Sequence, residues 1–180
     1  MLYTYAQSVE RYGSKYKVKK AIEDGLLFRI EKGVYSERKY ASGEQIISMK
    51  YPHAVFTMNS AFYYHGLTDV IPDLYYLATE YSAAPITDKR VKQVFENSAP
   101  LMMGAIDMEY NGNKICVYSK ERMLVELMRN KNKLSFDYYK EILLNYRKIL
   151  DELDISLIED YAYDMPKSNM IMKGLRLEVF

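Results

Sequence analysis

The chain has 180 residues, with 25 Lys and Arg against 24 Asp and Glu and a formal net charge of +1. Apolar types make up 49% and charged types 27%, a balance that excludes an intrinsically disordered chain. The single Cys116 excludes a disulfide framework, and no apolar run approaches the ~18 residues that a membrane helix needs. We therefore expect a cytoplasmic protein without a membrane partner.

Positive charge is concentrated at the start of the chain. Residues 1–40 hold nine Lys and Arg against five Asp and Glu, a balance of 9 − 5 = +4. Residues 41–180 hold sixteen against nineteen, a balance of 16 − 19 = −3. A basic segment beside a mildly acidic body indicates an anionic partner for that segment. We predict two domains, over 1–40 and 41–180.

Two short helices are predicted in the basic segment. The run Thr4-Tyr5-Ala6-Gln7 has the pattern of a capping box, and Gly13 can end the helix that it starts, because glycine enters the left-handed region easily. Ser14 can cap a second helix over 15–24. Two helices joined by a tight turn that contains glycine are typical of a helix-turn-helix.

The second helix is predicted to have one apolar and one basic face. Its buried stripe, at i, i+3, i+4 spacing, consists of Val18, Ala21 and Ile22. The opposite face carries Tyr16, Lys17 and Lys20, flanked by Lys15 and Lys19. We expect this face to enter the major groove of double-stranded DNA, with Ser14 and the first amides of the helix holding a phosphate.

A β-hairpin is predicted directly after these helices. Residues 26–30 form one strand, Glu31-Lys32-Gly33 the turn and residues 34–36 the returning strand. Such a ribbon after a recognition-type helix is a wing, and Arg29 and Lys32 would contact DNA from it. The alternative is that residues 1–40 are an accessory of the larger domain, with lysines that only face solvent.

The body is predicted to be a mixed α/β domain that ends in helices. The expected helices cover residues 43–50, a segment capped by Asn59 or Ser60 that runs through Tyr64, a segment capped by Ser119, and residues 136 to about 153. The expected strands cover residues 54–58, 74–79, 90–95, 105–110 and 114–118. Asn111-Gly112 joins the last two strands as a hairpin. The fold class is therefore α+β, with a small N-terminal winged helix-turn-helix.

Catalytic motifs are absent from the sequence. It has no G-x-x-x-x-G-K-[ST] loop, no H-E-x-x-H and no G-x-S-x-G. Three side chains could bind a metal, but their spacing in the sequence does not match that of metal-binding motifs: His53, His65 and Cys116. Asp107 and Glu109, followed by Lys114, are similar to a nuclease carboxylate cluster, but alternate positions on an exposed strand also explain them. We expect no cofactor, no metal and no enzyme activity, with a metal-dependent nuclease as an alternative.

Four segments together resemble AbiEi-type antitoxins over about residues 4–150. In the body these are Asn59-Ser60-Ala61 through His65-Gly66-Leu67-Thr68-Asp69-Val70-Ile71-Pro72, Ser119-Lys120-Glu121-Arg122-Met123-Leu124 to Arg129, and Phe136-Asp137-Tyr138-Tyr139-Lys140-Glu141 to Asn145-Tyr146-Arg147. In the basic segment, Gly25-Leu26-Leu27-Phe28-Arg29-Ile30-Glu31-Lys32-Gly33-Val34-Tyr35 is similar to the wing of that family. Their order and spacing carry the resemblance.

The resemblance implies a winged-helix transcriptional regulator that binds its own promoter. It also implies an antitoxin that neutralises a partner toxin of nucleotidyltransferase type, in a type IV toxin–antitoxin system for abortive infection and phage defence. The family assigns DNA binding to residues 1–40 and antitoxicity to the body. A homodimer could occupy two DNA half-sites. The alternative is a protein-interaction antitoxin, or an accessory factor, whose basic segment does not bind DNA.

Overall fold

The computed structural model describes residues 1–180, which form nine α-helices and two β-sheets. The predicted α+β class is confirmed. The chain divides into two compact units. The first unit comprises Met1–Pro52 and Asn111–Ile115, and the second comprises His53–Tyr110 and Cys116–Phe180. The division into domains over 1–40 and 41–180 stays a prediction.

The first unit contains three helices and a small sheet. Its elements are β1 (Leu2–Tyr3), α1 (Tyr5–Tyr12), α2 (Lys15–Glu23), β2 (Phe28–Glu31), β3 (Val34–Ser36) and α3 (Gly43–Lys50). The sheet order is β1-β3-β2, and β3 is antiparallel to both neighbours, so that Leu2 and Phe28 both lie opposite Ser36. Strand β1 is absent from the sequence prediction, because two residues carry no alternation to detect.

The predicted capping box at the start of α1 is confirmed. The Thr4 hydroxyl accepts from the Gln7 amide at 3.2 Å, and the Gln7 side chain accepts from the Thr4 amide at 2.8 Å. One hydrophobic cluster in the core of this unit consists of Tyr3, Val18, Ala21, Leu27 and Tyr35. The prediction that Ile22 belongs to the buried stripe is wrong, since Ile22 is 37% exposed. Helix α2 buries only the narrow strip that Val18 and Ala21 define.

The larger sheet has five strands in the order β6-β5-β4-β8-β7. They are β4 (Val55–Phe56), β5 (Tyr75–Glu80), β6 (Val91–Glu96), β7 (Ala105–Tyr110) and β8 (Asn113–Tyr118). Strand β5 is antiparallel to β4 and parallel to β6, and β4 is parallel to β8. The predicted Asn111-Gly112 turn is confirmed, with positive φ at both residues, as a two-residue hairpin of type I′ requires.

The remaining helices belong to the second unit. They are α4 (Met58–Tyr64), α5 (Ser98–Leu101), α6 (Lys120–Asn130), α7 (Phe136–Lys148), α8 (Ile155–Asp164) and α9 (Ser168–Glu178), with 3₁₀ turns at Lys131–Lys133 and Leu150–Glu152. Helix α6 begins with Ser119, whose hydroxyl accepts from the Arg122 amide, as predicted. It packs against α4, α8 and α9 and is buried over most of its length.

Several predicted elements have different bounds in the structure. The hairpin strand over 26–30 is Phe28–Glu31, so Glu31 belongs to the strand and not to the turn. The strand over 54–58 is only Val55–Phe56, and the cap of helix α4 is Thr57 rather than Asn59 or Ser60. The helix from 136 to about 153 ends at Lys148. Leu153 is buried beyond that break, so the apolar spacing continues through it and periodicity alone does not show where the helix stops.

Candidate nucleic-acid interface

Helix α2 is oriented by its caps and by two buried side chains. Gly13, with a φ of +85°, ends α1. Ser14 caps the start of α2, and its hydroxyl oxygen accepts from the Lys17 amide at 3.2 Å. Val18 and Ala21 lie in the core of the first unit. Because these two side chains share one side of the helix, the other side is left to solvent.

The solvent side of α2 carries the cations that were predicted to contact DNA. Its four lysines are all exposed: Lys15, Lys17, Lys19 and Lys20. Lys19 pairs with Glu23 at 3.7 Å, and because both side chains are largely in solvent this pair is weak. The other three lysines form no ion pair in the structure. Their charge is therefore available to an anionic partner.

Two polar groups complete this face of the helix. Tyr16 is 76% exposed, so most of its ring contacts water and a partner could cover it. Ser14 accepts the Lys17 amide through its oxygen, and its hydroxyl hydrogen remains to be donated. The N-terminal end of α2 thus has a hydroxyl donor and the positive end of the helix dipole beside the cations of Lys15 and Lys17.

The β2–β3 hairpin follows α2 and places two further cations in solvent. Gly33, with a φ of +83°, makes the turn, and Lys32 beside it is exposed. The register shifts from Arg29 opposite Tyr35 to Glu31 opposite Val34, so the β2 strand bulges at Ile30. Arg29 is exposed, and neither Arg29 nor Lys32 forms an ion pair. All eight predicted DNA contacts therefore lie in the first unit.

Arg11 has a structural role that the sequence does not indicate. Its guanidinium lies 2.7 Å from the Glu37 carboxylate and 5.2 Å from the centre of the Tyr3 ring. These contacts attach α1 to strand β1 and to the residue that follows β3. The charge of Arg11 is therefore paired within the first unit, whereas three of the four α2 lysines form no ion pair.

The side chains considered for chemistry are dispersed. His65 ends α4, where its Nε2 donates to the Tyr118 carbonyl at 2.7 Å, and burial lowers its pKa. Burial raises the pKa of the Cys116 thiol, which disfavours the thiolate. Asp107 and Glu109 occupy alternate, exposed positions of β7. Nowhere do three or more His, Cys, Asp and Glu side chains come together as metal ligands would.

The second unit contains a buried charge network that the sequence analysis missed. Arg122 is 0% exposed and binds Glu126 at 2.8 Å, the carbonyl of Pro100 at 3.1 Å and, at 3.5 Å, Glu96. Arg129 lies 2.7 Å from the same Glu96 carboxylate. The i, i+4 spacing of Arg122 and Glu126 was the available signal, but the same spacing is also found on exposed helix faces.

Comparison with known proteins adds no relative. No protein-family model matches the chain, and a search of curated protein sequences gives no significant match. None of the nine helices combines the length and the apolar composition that a membrane crossing requires.

Proposed function

We propose that residues 1–40 are a winged helix-turn-helix that binds double-stranded DNA at the promoter of its own operon. In this proposal α2 is the recognition helix and the β2–β3 hairpin is the wing. We further propose that the body neutralises a partner toxin of nucleotidyltransferase type. The protein then acts in the cytoplasm as the autoregulating antitoxin of a type IV toxin–antitoxin system, without catalysis of its own.

One observation carries the DNA-binding part of the proposal. Lys15, Lys17 and Lys20 are exposed and form no ion pair, on the part of the α2 surface that its two buried residues leave to solvent. Within a helix, like charges this close repel one another, and a phosphate backbone relieves the repulsion while releasing counterions. Lysines position a protein on DNA more than they select sequence, so base readout falls chiefly to Tyr16 and Lys17.

The antitoxin part of the proposal depends on the resemblance of the body segments to AbiEi-type antitoxins. Its genetic expectation is that a nucleotidyltransferase-like reading frame lies beside this gene. Expression of that neighbour alone should arrest growth, and co-expression of this chain should restore it. Continued arrest on co-expression would contradict antitoxin activity. If growth is restored, size-exclusion chromatography of the two proteins together would distinguish direct binding from an indirect effect.

The DNA-binding part is tested with the region upstream of the gene. Fluorescence anisotropy should show binding to this duplex, and Lys17→Ala with Lys20→Ala should weaken it at least about tenfold, because two phosphate contacts are lost. The matched control is Lys140→Ala with Lys173→Ala, which removes two exposed lysines from helices of the second unit. The control should bind like the unaltered protein.

The competing function is a protein-interaction antitoxin whose basic segment does not contact DNA. It would be favoured if the upstream duplex bound the α2 variant, Lys17→Ala with Lys20→Ala, as tightly as it binds the control variant. It would also be favoured if the α2 variant lost toxin neutralisation, since the proposal assigns neutralisation to the body.

A further inference from the structure

The second unit contains a cavity that the proposed function does not use. It lies between strands β5 and β6, the start of α4 and the start of α7, and its volume is about 680 Å³. Sites for small molecules occupy roughly 300–1,000 Å³, so the cavity has the size of a ligand site. DNA binding by α2 and neutralisation of a toxin offer no role for a concave site of this size.

The charge around the cavity is positive only. Lys92 on β6 and Lys133 in the 3₁₀ turn before α7 are its charged lining residues, and no carboxylate lines it. Both lysines are exposed and form no ion pair. Ser135, which begins α7, also lines the cavity, and its side chain makes no capping hydrogen bond. A cavity with two uncompensated cations selects an anionic ligand.

A buried hydroxyl on the same cavity has no partner in the protein. Tyr138 lines the cavity, and its hydroxyl is buried without a hydrogen bond. Three other tyrosine hydroxyls of this unit have partners: Tyr118 donates to the Leu101 carbonyl, Tyr139 to Glu178 and Tyr146 to the Lys120 carbonyl. Buried polar groups in proteins nearly always have a partner. The hydroxyl is closed to solvent in the free protein, so a rotation of the Tyr138 ring toward the cavity would bring it to a ligand acceptor.

Part of the cavity lining is apolar and preformed. Met58 lines it with a φ of +44°, a left-handed conformation that a residue with a side chain rarely adopts. The backbone around it is fixed, because the Thr57 amide donates to the Tyr76 carbonyl at 3.0 Å and the Tyr76 amide donates to the Ser60 hydroxyl at 2.9 Å. Strained backbone that its surroundings hold in place is frequent at ligand sites.

We propose that this cavity binds a mononucleotide. Lys92 and Lys133 hold the phosphate, and the planar base lies against Tyr76 and the apolar side chains of Met58 and Leu134. The Tyr138 hydroxyl donates to an acceptor of the ligand. A simple anion would need only a positively charged surface patch. This cavity also has apolar lining residues and a donor without a partner, which fits a ligand that joins a phosphate to a heterocycle.

Binding is measured on the full chain by isothermal titration calorimetry. The probes are the four ribonucleoside 5′-monophosphates, the four parent nucleosides and inorganic phosphate. At least one monophosphate should bind with a Kd below about 1 mM, and its nucleoside and inorganic phosphate should each bind about tenfold more weakly or worse. No binding by any monophosphate overturns the proposal. Equal binding of inorganic phosphate also overturns it, because only an adventitious ion site then remains.

Two sets of variants locate the bound nucleotide. Lys92→Gln with Lys133→Gln should weaken binding about tenfold or more, whereas Lys140→Gln with Lys173→Gln, the matched control, should leave it unchanged. Tyr138→Phe should weaken binding without lowering Tm, since the hydroxyl satisfies nothing in the free protein. Unchanged nucleotide affinity in both the lysine pair and Tyr138→Phe would overturn the assignment to this cavity. Promoter binding should survive in these variants, so this test and that of the proposed function fail independently.

Discussion

Arg122 and Glu126 lie one helical turn apart on α6, fully enclosed, with the guanidinium Nη2 2.8 Å from the carboxylate Oε1. Lys19 and Glu23 have the same spacing on α2, at 3.7 Å, but both side chains are largely in solvent. The two pairs follow the same sequence rule in opposite environments. They therefore differ in what they contribute to stability, because burial removes the water that would otherwise solvate each charge.

Removal of Arg122 should be strongly destabilising. Arg122→Met leaves Glu126 and Glu96 buried beside Arg129 alone, and loss of one partner from a buried pair costs about 3–5 kcal/mol. The control, Lys19→Met, breaks the exposed pair of the same spacing and should cost less than about 1 kcal/mol. Urea denaturation of both variants measures the difference. Similar losses in the two variants would show that the α6 network is not a stability element.

The close packing of Gly104 against Arg122 is a second feature that substitution can test. Its φ is +72°, and a Cβ there would lie 2.6 Å from the Arg122 Cβ. Gly112 has the same φ with nothing within 4 Å, so Gly112→Ala should cost only the left-handed strain of about 1–2 kcal/mol. Gly104→Ala adds a clash with a buried helix and should be destabilising by at least ~1 kcal/mol more. Equal values of the free energy of unfolding for the two variants would contradict a tight contact at Gly104.

Signals that depend on a few adjacent residues predicted caps and turns well. The Thr4 capping box, the Gly13 stop, the Ser14 cap and the Asn111-Gly112 turn each depend on a few adjacent residues, and each is confirmed. Predictions based on apolar runs were less accurate. Residues 54–58 divide between a two-residue strand and a helix, because an apolar run of that length fits either structure when it is buried.

Features built from distant residues were not predictable from one sequence. Glu96 reaches Arg122 and Arg129 from a different strand, and the cavity depends on β5, β6, α4 and α7 packing together. The candidate DNA interface was easier, because the residues of its helix are contiguous. Only Val18 and Ala21 had to be buried for the lysines to remain in solvent.

His65 should make stability depend on pH. Burial lowers the pKa of His65 by more than the hydrogen bond from its Nε2 to the Tyr118 carbonyl raises it, so the folded state favours the neutral ring. The unfolded state then binds more protons as the pH falls below its ordinary pKa of about 6.5, and stability is lost on acidification from that point until the folded-state pKa is passed. The loss cannot exceed about 1.4 kcal/mol for each pH unit crossed.

The His65 contribution is isolated with His65→Gln, which keeps an N–H donor but does not titrate. Urea denaturation at about pH 7.5 and about pH 5.5 should show a smaller decrease in unfolding free energy for the variant than for the unaltered protein. His53, the other histidine, is exposed at the turn before β4, and His53→Gln is the matched control. An identical decrease in all three proteins would exclude His65 as the source.

The salt dependence of promoter binding provides a quantitative test of the α2 interface. Four phosphate contacts per protomer would give a slope of log K against log salt of about −3.6, and a dimer on two half-sites would double it. Lys17→Ala with Lys20→Ala removes two of these contacts, so the slope per protomer should become less steep by about 1.8. Anisotropy titrations between about 50 and 200 mM salt measure it. A variant that binds more weakly with an unchanged slope would mean that these lysines act through the fold of the first unit rather than on phosphates.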